Sequence, residues 1–232
     1  MTYCLKCQDW ISQSVTWSTL FLPSQQTSLC DSCNSQLVRI NGAICEKCGR
    51  QMPSRMICDD CKKWQTNDKY RDVLQFNRPL FPYTPFMQEI ITQWKYRGDY
   101  QLKEIFTPYI KKEIRNFYPT KSFTIVPIPL TDERHQERAF NQATAIAEVI
   151  ATHYENSIIT ALSRKSSHSE KQSKKSRQQR IKTKNPFFLT KSLETDVLLV
   201  DDIYTTGMTI HHAAKLLKEA GSPNIYSFTL AR

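Results

Sequence analysis

Hydrophobic positions recur three and four residues apart over much of the last two thirds of the chain, and this spacing predicts amphipathic helices. The predicted helices are Thr84–Arg97, Phe140–Tyr154 and Thr209–Ala220. A further apolar stripe runs from Leu102 to Phe117, and Pro108 within it is expected either to kink this helix or to start it.

Short apolar runs between these helices predict buried strands. The predicted strands are Phe123–Pro127, Val197–Val200 and Asn224–Leu230. The prolines at positions 79, 82 and 85 predict an irregular connection ahead of the first of these helices. Strands separated by helices indicate an α/β fold, with a mostly parallel sheet covered by helices on both faces.

The cysteine pattern sets the first quarter of the chain apart. The eight cysteines form four CxxC pairs, at Cys4/Cys7, Cys30/Cys33, Cys45/Cys48 and Cys58/Cys61. Two such pairs complete one tetrahedral zinc site, so the pattern predicts two structural zinc ions with no open coordination position. Sequential pairing and a cross-braced arrangement both satisfy the spacing. Disulfides would need an oxidising compartment, and a redox CxxC usually stands alone. We expect a zinc-ribbon domain at residues 1–65 and an α/β domain at 66–232.

Composition narrows the cellular setting and the partners. No run of 18 apolar residues occurs, and the first residues form neither a charged leader nor an apolar core, so we expect a cytoplasmic protein without membrane insertion. The formal net charge is +10, which favours polyanionic partners. Lys and Arg are concentrated in Arg164–Lys184, where Glu170 is the single acidic residue.

The segment Val197–Thr209 carries the strongest chemical signal. A buried strand delivers Asp201 and Asp202, and a short run with Gly207 then leads into a helix. Backbone amides at such a turn bind a phosphate group, whereas the two acids suit ribose hydroxyls or a bridging Mg²⁺. The simpler alternative is a strand, a turn and an Asp-capped helix with no ligand.

This segment closely resembles the signature of type I phosphoribosyltransferases that binds 5-phosphoribosyl 1-pyrophosphate (PRPP). The resemblance implies that Asp201 and Asp202 hold the ribose hydroxyls and that Mg²⁺ accompanies PRPP. It also implies a set of residues around the 5-phosphate, which are Tyr204, Thr205, Thr206, Gly207, Met208 and Thr209. The implied fold is type I phosphoribosyltransferase-like.

A second resemblance, to the ComF family (ComFC) of late-competence proteins used in natural transformation, covers nearly the whole chain. Its elements are the double zinc ribbon, Trp94–Gly98, Ile125–Pro129, and the following Arg134, Arg138, Phe140, Asn141 and Gln142. In this fold the loop after the Ile125 strand meets the pyrophosphate, which implies contacts from Pro127, Ile128, Arg134 and Arg138. Ala139 stands where the family usually has glycine, and Gln172–Thr183 lacks the family's Leu and Asn.

Three functions are compatible with these features. The first is a DNA-uptake factor that binds PRPP and single-stranded DNA and contacts a ComFA-type helicase. Its expected DNA contacts in the basic loop are Lys171, Lys174, Lys175, Arg177 and Arg180. The second is an active phosphoribosyltransferase acting on an unidentified base. The third is a scaffold with a vestigial site. The basic loop itself suits closure over PRPP, a groove for single strands, or plain solvation.

Overall fold

The computed structural model describes residues 3–11, 28–96, 98–118, 122–154, 156–165 and 185–232. The strands are β1 (Asn77–Phe81), β2 (Thr124–Pro127), β3 (Leu162–Arg164), β4 (Phe187–Leu189), β5 (Val197–Ile203) and β6 (Ile225–Ala231). The helices are α1 (Asp31–Gln36), α2 (Asp59–Gln65), α3 (Pro85–Tyr96), α4 (Lys103–Phe117), α5 (Asp132–Arg138), α6 (Gln142–Tyr154) and α7 (Met208–Glu219), with a 3₁₀ turn at Tyr100–Leu102.

Within these ranges, four parallel strands form the central sheet in the order β1-β6-β5-β2. Val200 of β5 lies between Pro127 of β2 and Phe228 of β6. The strands β3 and β4 form a separate antiparallel pair. Because the four strands run in the same direction, their carboxyl ends share one edge, where ligands bind in open α/β sheets.

Both faces of the sheet are covered, as the sequence predicts. One face packs against α3, α4 and α6, where Trp94, Phe106 and Ile146 are buried against Leu198 and Phe228. The opposite face packs against α7 and the β3-β4 pair. The predicted α/β fold with helices on both faces is therefore confirmed.

The strand β1 was not predicted, because Pro79 within it and the prolines at 82 and 85 after it indicate a connection. It is an edge strand, where a proline is tolerated since only one side needs a partner in the sheet. The zinc ribbon covers its other side: the amide of Asn77 donates to the Lys47 carbonyl at 2.7 Å. A Cβ on Gly49, which has φ +73°, would lie 2.2 Å from Pro79 Cδ. The ribbon thus protects an edge that would otherwise expose unpaired backbone groups.

Pro108 lies inside α4 and does not start it, which corrects one of the two alternatives above. A proline has no amide hydrogen, so the carbonyl four residues earlier, that of Glu104, loses its helical donor. The hydroxyl of Ser28 donates to that carbonyl at 3.2 Å. The first ribbon therefore binds α4 at the one carbonyl that Pro108 leaves without a donor from within the helix.

No helix in the described part of the chain is long and apolar enough to cross a membrane.

Candidate functional site

The eight cysteines gather into two groups of four, one of Cys4, Cys7, Cys30 and Cys33 and one of Cys45, Cys48, Cys58 and Cys61. In each group the sulfur atoms lie within 4.8 Å of one another. The Cys7–Cys30 and Cys48–Cys58 sulfur atoms are both 3.7 Å apart. Four zinc–sulfur bonds of about 2.3 Å give tetrahedral edges of about 3.8 Å, whereas a disulfide is about 2.05 Å long. Each group therefore fits a closed zinc site, and the pairing is sequential.

The second group is the more enclosed of the two. All four of its cysteines are buried, whereas Cys7 of the first group is exposed. The amide of Cys58 lies 3.3 Å from Cys45 Sγ and donates to it, as amides do to metal-bound thiolates. This cluster packs in the same hydrophobic core as Leu199 of β5 and Ile210 of α7. The second zinc ribbon is thus part of the core beneath the sheet's carboxyl edge.

The acidic pair lies at that edge. Asp201 and Asp202 are half-buried, and the Asp202 amide donates to the Asp201 carboxylate at 2.9 Å. Lys95, in the last turn of α3, forms an ion pair with Asp202. Burial raises the pKa of Asp201 well above its usual range, the Asp202 carboxylate raises it further, and Lys95 lowers it. A cation bound beside the pair would favour the ionised form of both carboxyl groups.

A turn at residues 204–207 carries the chain from β5 into α7. The Tyr204 amide donates to the Ala231 carbonyl at 2.9 Å, and the Tyr204 ring is 2% exposed. Gly207 has φ +81°, and a Cβ there would lie 2.2 Å from the Tyr204 hydroxyl, so glycine is required. Gly207 precedes α7 without a side-chain cap. The Met208 amide donates to the Thr206 hydroxyl at 3.4 Å, and the positive end of the α7 dipole lies at this turn and favours a bound anion.

Three arginines from two other elements lie near one another, and one of them, Arg164, lies near Asp201. Arg134 and Arg138 lie one turn apart on α5, and Arg164 ends β3. Burial lowers the pKa of Arg164, the charge of Arg134 lowers it further, and Asp201 raises it. Arg138 is 8% exposed, and its Nε has no hydrogen-bond partner among the residues described. Clustered positive charge with a buried unpaired donor suits an anion of high charge, such as a pyrophosphate.

The residues predicted at the end of β2 lie at the same edge. Pro127 pairs with Val200 of β5, and the Ile128 amide donates to the Val200 carbonyl at 2.9 Å. The side-chain amide of Asn141 donates to the Ile128 carbonyl at 2.8 Å. This bond ties the loop after β2 to the start of α6. The structure therefore brings the two predicted segments, after β2 and after β5, to neighbouring positions.

The predicted DNA contacts lie outside the described residues, namely Lys171, Lys174, Lys175, Arg177 and Arg180. The two ends of this basic loop are described. The Lys165 amide donates to the Pro186 carbonyl at 3.0 Å, and the Asn185 side chain donates to the His212 carbonyl of α7 at 2.9 Å. Because Arg164 lies among the site arginines, the loop begins beside the acidic pair.

Two of the charged residues at the site were not predicted from the sequence. Lys95 belongs to the Trp94–Gly98 element, which was recognised only as part of the ComF resemblance. Arg164 was counted in the basic loop, but the structure places it on β3 beside Asp201. Trp64 also reaches the site from the zinc ribbon: it is 7% exposed, and its indole Nε1 donates to the Thr206 carbonyl at 2.9 Å.

Comparison with known proteins gives two domain models that match this chain. A phosphoribosyl transferase domain model matches residues 101–232, and a double zinc ribbon domain model matches residues 2–62. The two matches coincide with the part of the chain that holds the acidic pair and with the part that holds the cysteine clusters.

Similar whole proteins come from several bacteria. The chain is 38% identical to a protein of Bacillus subtilis strain 168 named competence protein ComFC, over 99% of this chain and 94% of that protein. It is 32% identical to competence protein ComFC of Streptococcus pneumoniae, over 99% of both chains. It is 23% identical to a protein of Escherichia coli K12 named DNA utilization protein YhgH, over 88% of this chain and 90% of that protein.

Proposed function

The chain belongs to the ComF family of competence proteins, and from this premise we propose that it binds PRPP with Mg²⁺, and single-stranded DNA, during natural transformation. In this proposal PRPP occupies the carboxyl edge of the sheet between β5, α5 and β3. DNA contacts the basic loop that begins at the same edge.

The acidic pair beside a glycine-requiring turn is the observation that carries the PRPP proposal. The amides of Thr205, Thr206 and Gly207, together with the positive end of the α7 dipole, suit the 5-phosphate, which carries two negative charges. Asp201 and Asp202 suit the ribose hydroxyls, because a carboxylate accepts hydrogen bonds and would repel a phosphate. Mg²⁺ would bridge the ligand's pyrophosphate to this edge.

The arginines account for the other end of the ligand. A pyrophosphate needs several donors of positive charge, and Arg134, Arg138 and Arg164 converge from two elements. Arginine presents paired donors that match phosphate oxygens. Lys95, which forms an ion pair with Asp202, supplies a fourth positive charge at the same edge.

Titration calorimetry of the full chain with Mg-PRPP tests this assignment. Replacing both acids, as Asp201→Asn/Asp202→Asn, is expected to weaken binding about tenfold or more, because hydrogen bonds to charged groups are worth about 1.5–3 kcal/mol. The matched control is Asp196→Asn, since Asp196 precedes the opposite end of β5 and pairs with Asn224 at 2.9 Å. Equal affinity of the double variant and the control would refute the assignment.

Charge and position support the DNA part of the proposal. The chain carries a formal net charge of +10, and the basic loop holds many of its lysines and arginines. The loop begins at Arg164 of β3, and Asn185, which follows the loop, donates to the His212 carbonyl of α7. A phosphate backbone releases counterions when it meets such a loop, which makes binding sensitive to salt.

Binding of a short single-stranded oligonucleotide across a salt series tests the DNA part. The loop variant replaces three residues by Gln, namely Lys171, Lys174 and Lys175. The control removes equal charge from the exposed face of α4, at Lys111, Lys112 and Arg115. The loop variant is expected to lower the slope of log K against log salt by about 0.7 for each lost phosphate contact. Equal slopes for the loop variant and the control would show that the DNA does not contact the basic loop.

One exposed aromatic ring favours transfer of the phosphoribosyl group as a second candidate function. Tyr96 is 66% exposed, and the Arg138 guanidinium lies 5.7 Å from its ring centroid. An acceptor base could stack on this ring beside the departing pyrophosphate. Pyrophosphate release from PRPP, measured with each of the common bases, tests this function. Release with one base that Tyr96→Ala slows would support it, and no release with any base would count against it.

A further inference from the structure

Three consecutive carbonyls of the turn after β5 are held by side chains from outside it. The Arg232 guanidinium donates to the Tyr204 carbonyl at 3.1 Å and also to the Thr205 carbonyl. The Trp64 indole donates to the next carbonyl, that of Thr206, at 2.9 Å. The three carbonyls are therefore fixed by two residues, one in the second zinc ribbon and one that follows β6.

Fixing these carbonyls also fixes the amides of the turn. A peptide unit is planar and trans, so its C=O and N–H bonds point in opposite directions. Bonds to the carbonyls of Tyr204, Thr205 and Thr206 therefore turn the amides of Thr205, Thr206 and Gly207 away from Trp64 and Arg232. Within the described ranges, these three amides donate to no protein acceptor. They are the donors that a phosphate would meet.

The position of Trp64 depends on the second zinc cluster, because Trp64 and Cys61 of that cluster belong to the same short helix. Cys61 and Trp64 lie one turn apart on α2, which begins directly after Cys58. The Trp64 ring stacks on His211 of α7, with centroids 4.0 Å apart and planes 9° from parallel. Cys61, Trp64, Tyr204 and His211 line one cavity. An ordered cluster is therefore what keeps the indole within reach of the turn.

Arg232 links the same cluster to the turn by a second route. The Arg232 guanidinium, which donates to two carbonyls of the turn, also lies 4.9 Å from the centroid of the Tyr204 ring. Tyr204 packs in the same buried core as Cys48 and Cys61, and it lines a cavity with Cys61. Arg232 thus reaches the cluster through Tyr204, whereas Trp64 reaches it through α2.

We propose that Trp64 and Arg232 are positioning residues for the phosphate-binding turn, and that they couple zinc in the Cys45/Cys48/Cys58/Cys61 cluster to the phosphorylated ligand. This inference rests on the proposed binding of PRPP. Coupling between two sites is reciprocal: the ligand tightens zinc binding by the same factor by which zinc tightens ligand binding.

The first zinc cluster provides an internal control, because its ribbon packs on a different part of the molecule. Lys6 forms an ion pair with Glu89 of α3 at 3.0 Å, and Gln93 donates to the Leu5 carbonyl at 3.4 Å. Ser28 donates to the Glu104 carbonyl of α4. None of these contacts involves the turn after β5, so zinc in this cluster is expected to be independent of the ligand.

Affinity measurements on matched variants give the first test. Trp64→Phe and Arg232→Met each remove a donor to the turn and are expected to weaken Mg-PRPP binding about threefold to tenfold, the worth of one hydrogen bond. The control is Tyr70→Phe. Tyr70 packs edge-on against Trp64 at 5.1 Å, and no hydrogen bond of its hydroxyl occurs in the described part of the chain. Thermal unfolding shows whether each variant is folded. If Trp64→Phe does not fold, Arg232→Met alone tests the proposal.

Zinc retention gives the second test, and its outcome does not depend on catalysis. The full chain is equilibrated with a zinc chelator, and free thiols are labelled in a short pulse and mapped by mass spectrometry. Saturating Mg-PRPP is expected to protect the cysteines at 45, 48, 58 and 61 severalfold while leaving those at 4, 7, 30 and 33 unchanged. Protection of the second cluster is expected to shrink in Trp64→Phe.

The outcomes separate this inference from the proposed function. Absence of Mg-PRPP binding by the unaltered chain would overturn both. Normal binding by the unaltered chain together with unchanged affinity in Trp64→Phe and Arg232→Met would overturn the inference alone. Equal protection of the two clusters by ligand would do the same.

Discussion

Two adjacent histidines in the first turn of α7 make the stability of the protein depend on pH. His211 and His212 are 6% and 2% exposed. Burial lowers the pKa of each from 6.5 to about 4. His211 Nδ1 lies 2.8 Å from the Gly207 carbonyl, which can only accept, so Nδ1 carries the proton of a neutral ring. Both histidines are therefore neutral in the folded protein at pH 7.

The sign and size of the effect follow from proton linkage. Near pH 6 the unfolded chain binds protons on these histidines, whereas the folded chain does so only near pH 4. The stability they contribute is therefore complete above pH 6.5 and is lost as the pH falls towards 4. At pH 6 the expected loss is about 1 kcal/mol for each histidine, or about 2 kcal/mol for the pair.

Urea unfolding at pH 7.5 and pH 6.0 measures this loss. Over that interval the free energy of unfolding of the unaltered chain is expected to fall by about 2 kcal/mol more than that of His211→Asn/His212→Asn. The control is His135→Asn, because His135 is exposed on α5. If the double variant does not fold, His212→Asn is expected to remove about half of the pH dependence. The same pH dependence in the variants and in the unaltered chain would refute the assignment of buried neutral rings.

Two backbone positions give further predictions. Ala139 ends α5 with φ +63°, so Ala139→Gly is expected to raise the free energy of unfolding by about 0.5–1 kcal/mol in urea, and an unchanged midpoint would contradict this. Gly207→Ala is expected to abolish Mg-PRPP binding in calorimetry, because its Cβ meets Tyr204. The control Gly221→Ala has the same left-handed strain, at φ +107°, but open space around it, so loss of ligand binding in both variants would contradict a local effect.

The sequence predicted the central fold well where the signal is local. Helical periodicity and short apolar runs located α3, α6, α7 and the strands β2, β5 and β6 to within a few residues. The strand β1 was missed because its proline, Pro79, is acceptable only at a sheet edge, and edge position is a property of the assembled sheet. Pro108 within α4 depends in the same way on a distant partner, the Ser28 hydroxyl.

In the candidate site, too, the features with a local sequence pattern were predicted and the long-range contacts were not. The strand, the two acids, the turn and the start of α7 lie within thirteen consecutive residues, 197–209, so their pattern is visible in the sequence. Lys95 and Arg164 reach the acids from α3 and β3, and no local pattern indicates this approach. The bond from Trp64 to Thr206 spans 142 positions. Such contacts follow from the way the ribbon packs on the sheet, which residue types and spacing alone do not determine.

A crystal structure of the full chain with Mg-PRPP tests the central claim most directly. The account predicts the 5-phosphate on the amides of residues 205–209, the ribose hydroxyls at Asp201 and Asp202, and the pyrophosphate facing Arg134 and Arg138. PRPP bound at any other surface, or a site left without ligand at saturating PRPP, would contradict it.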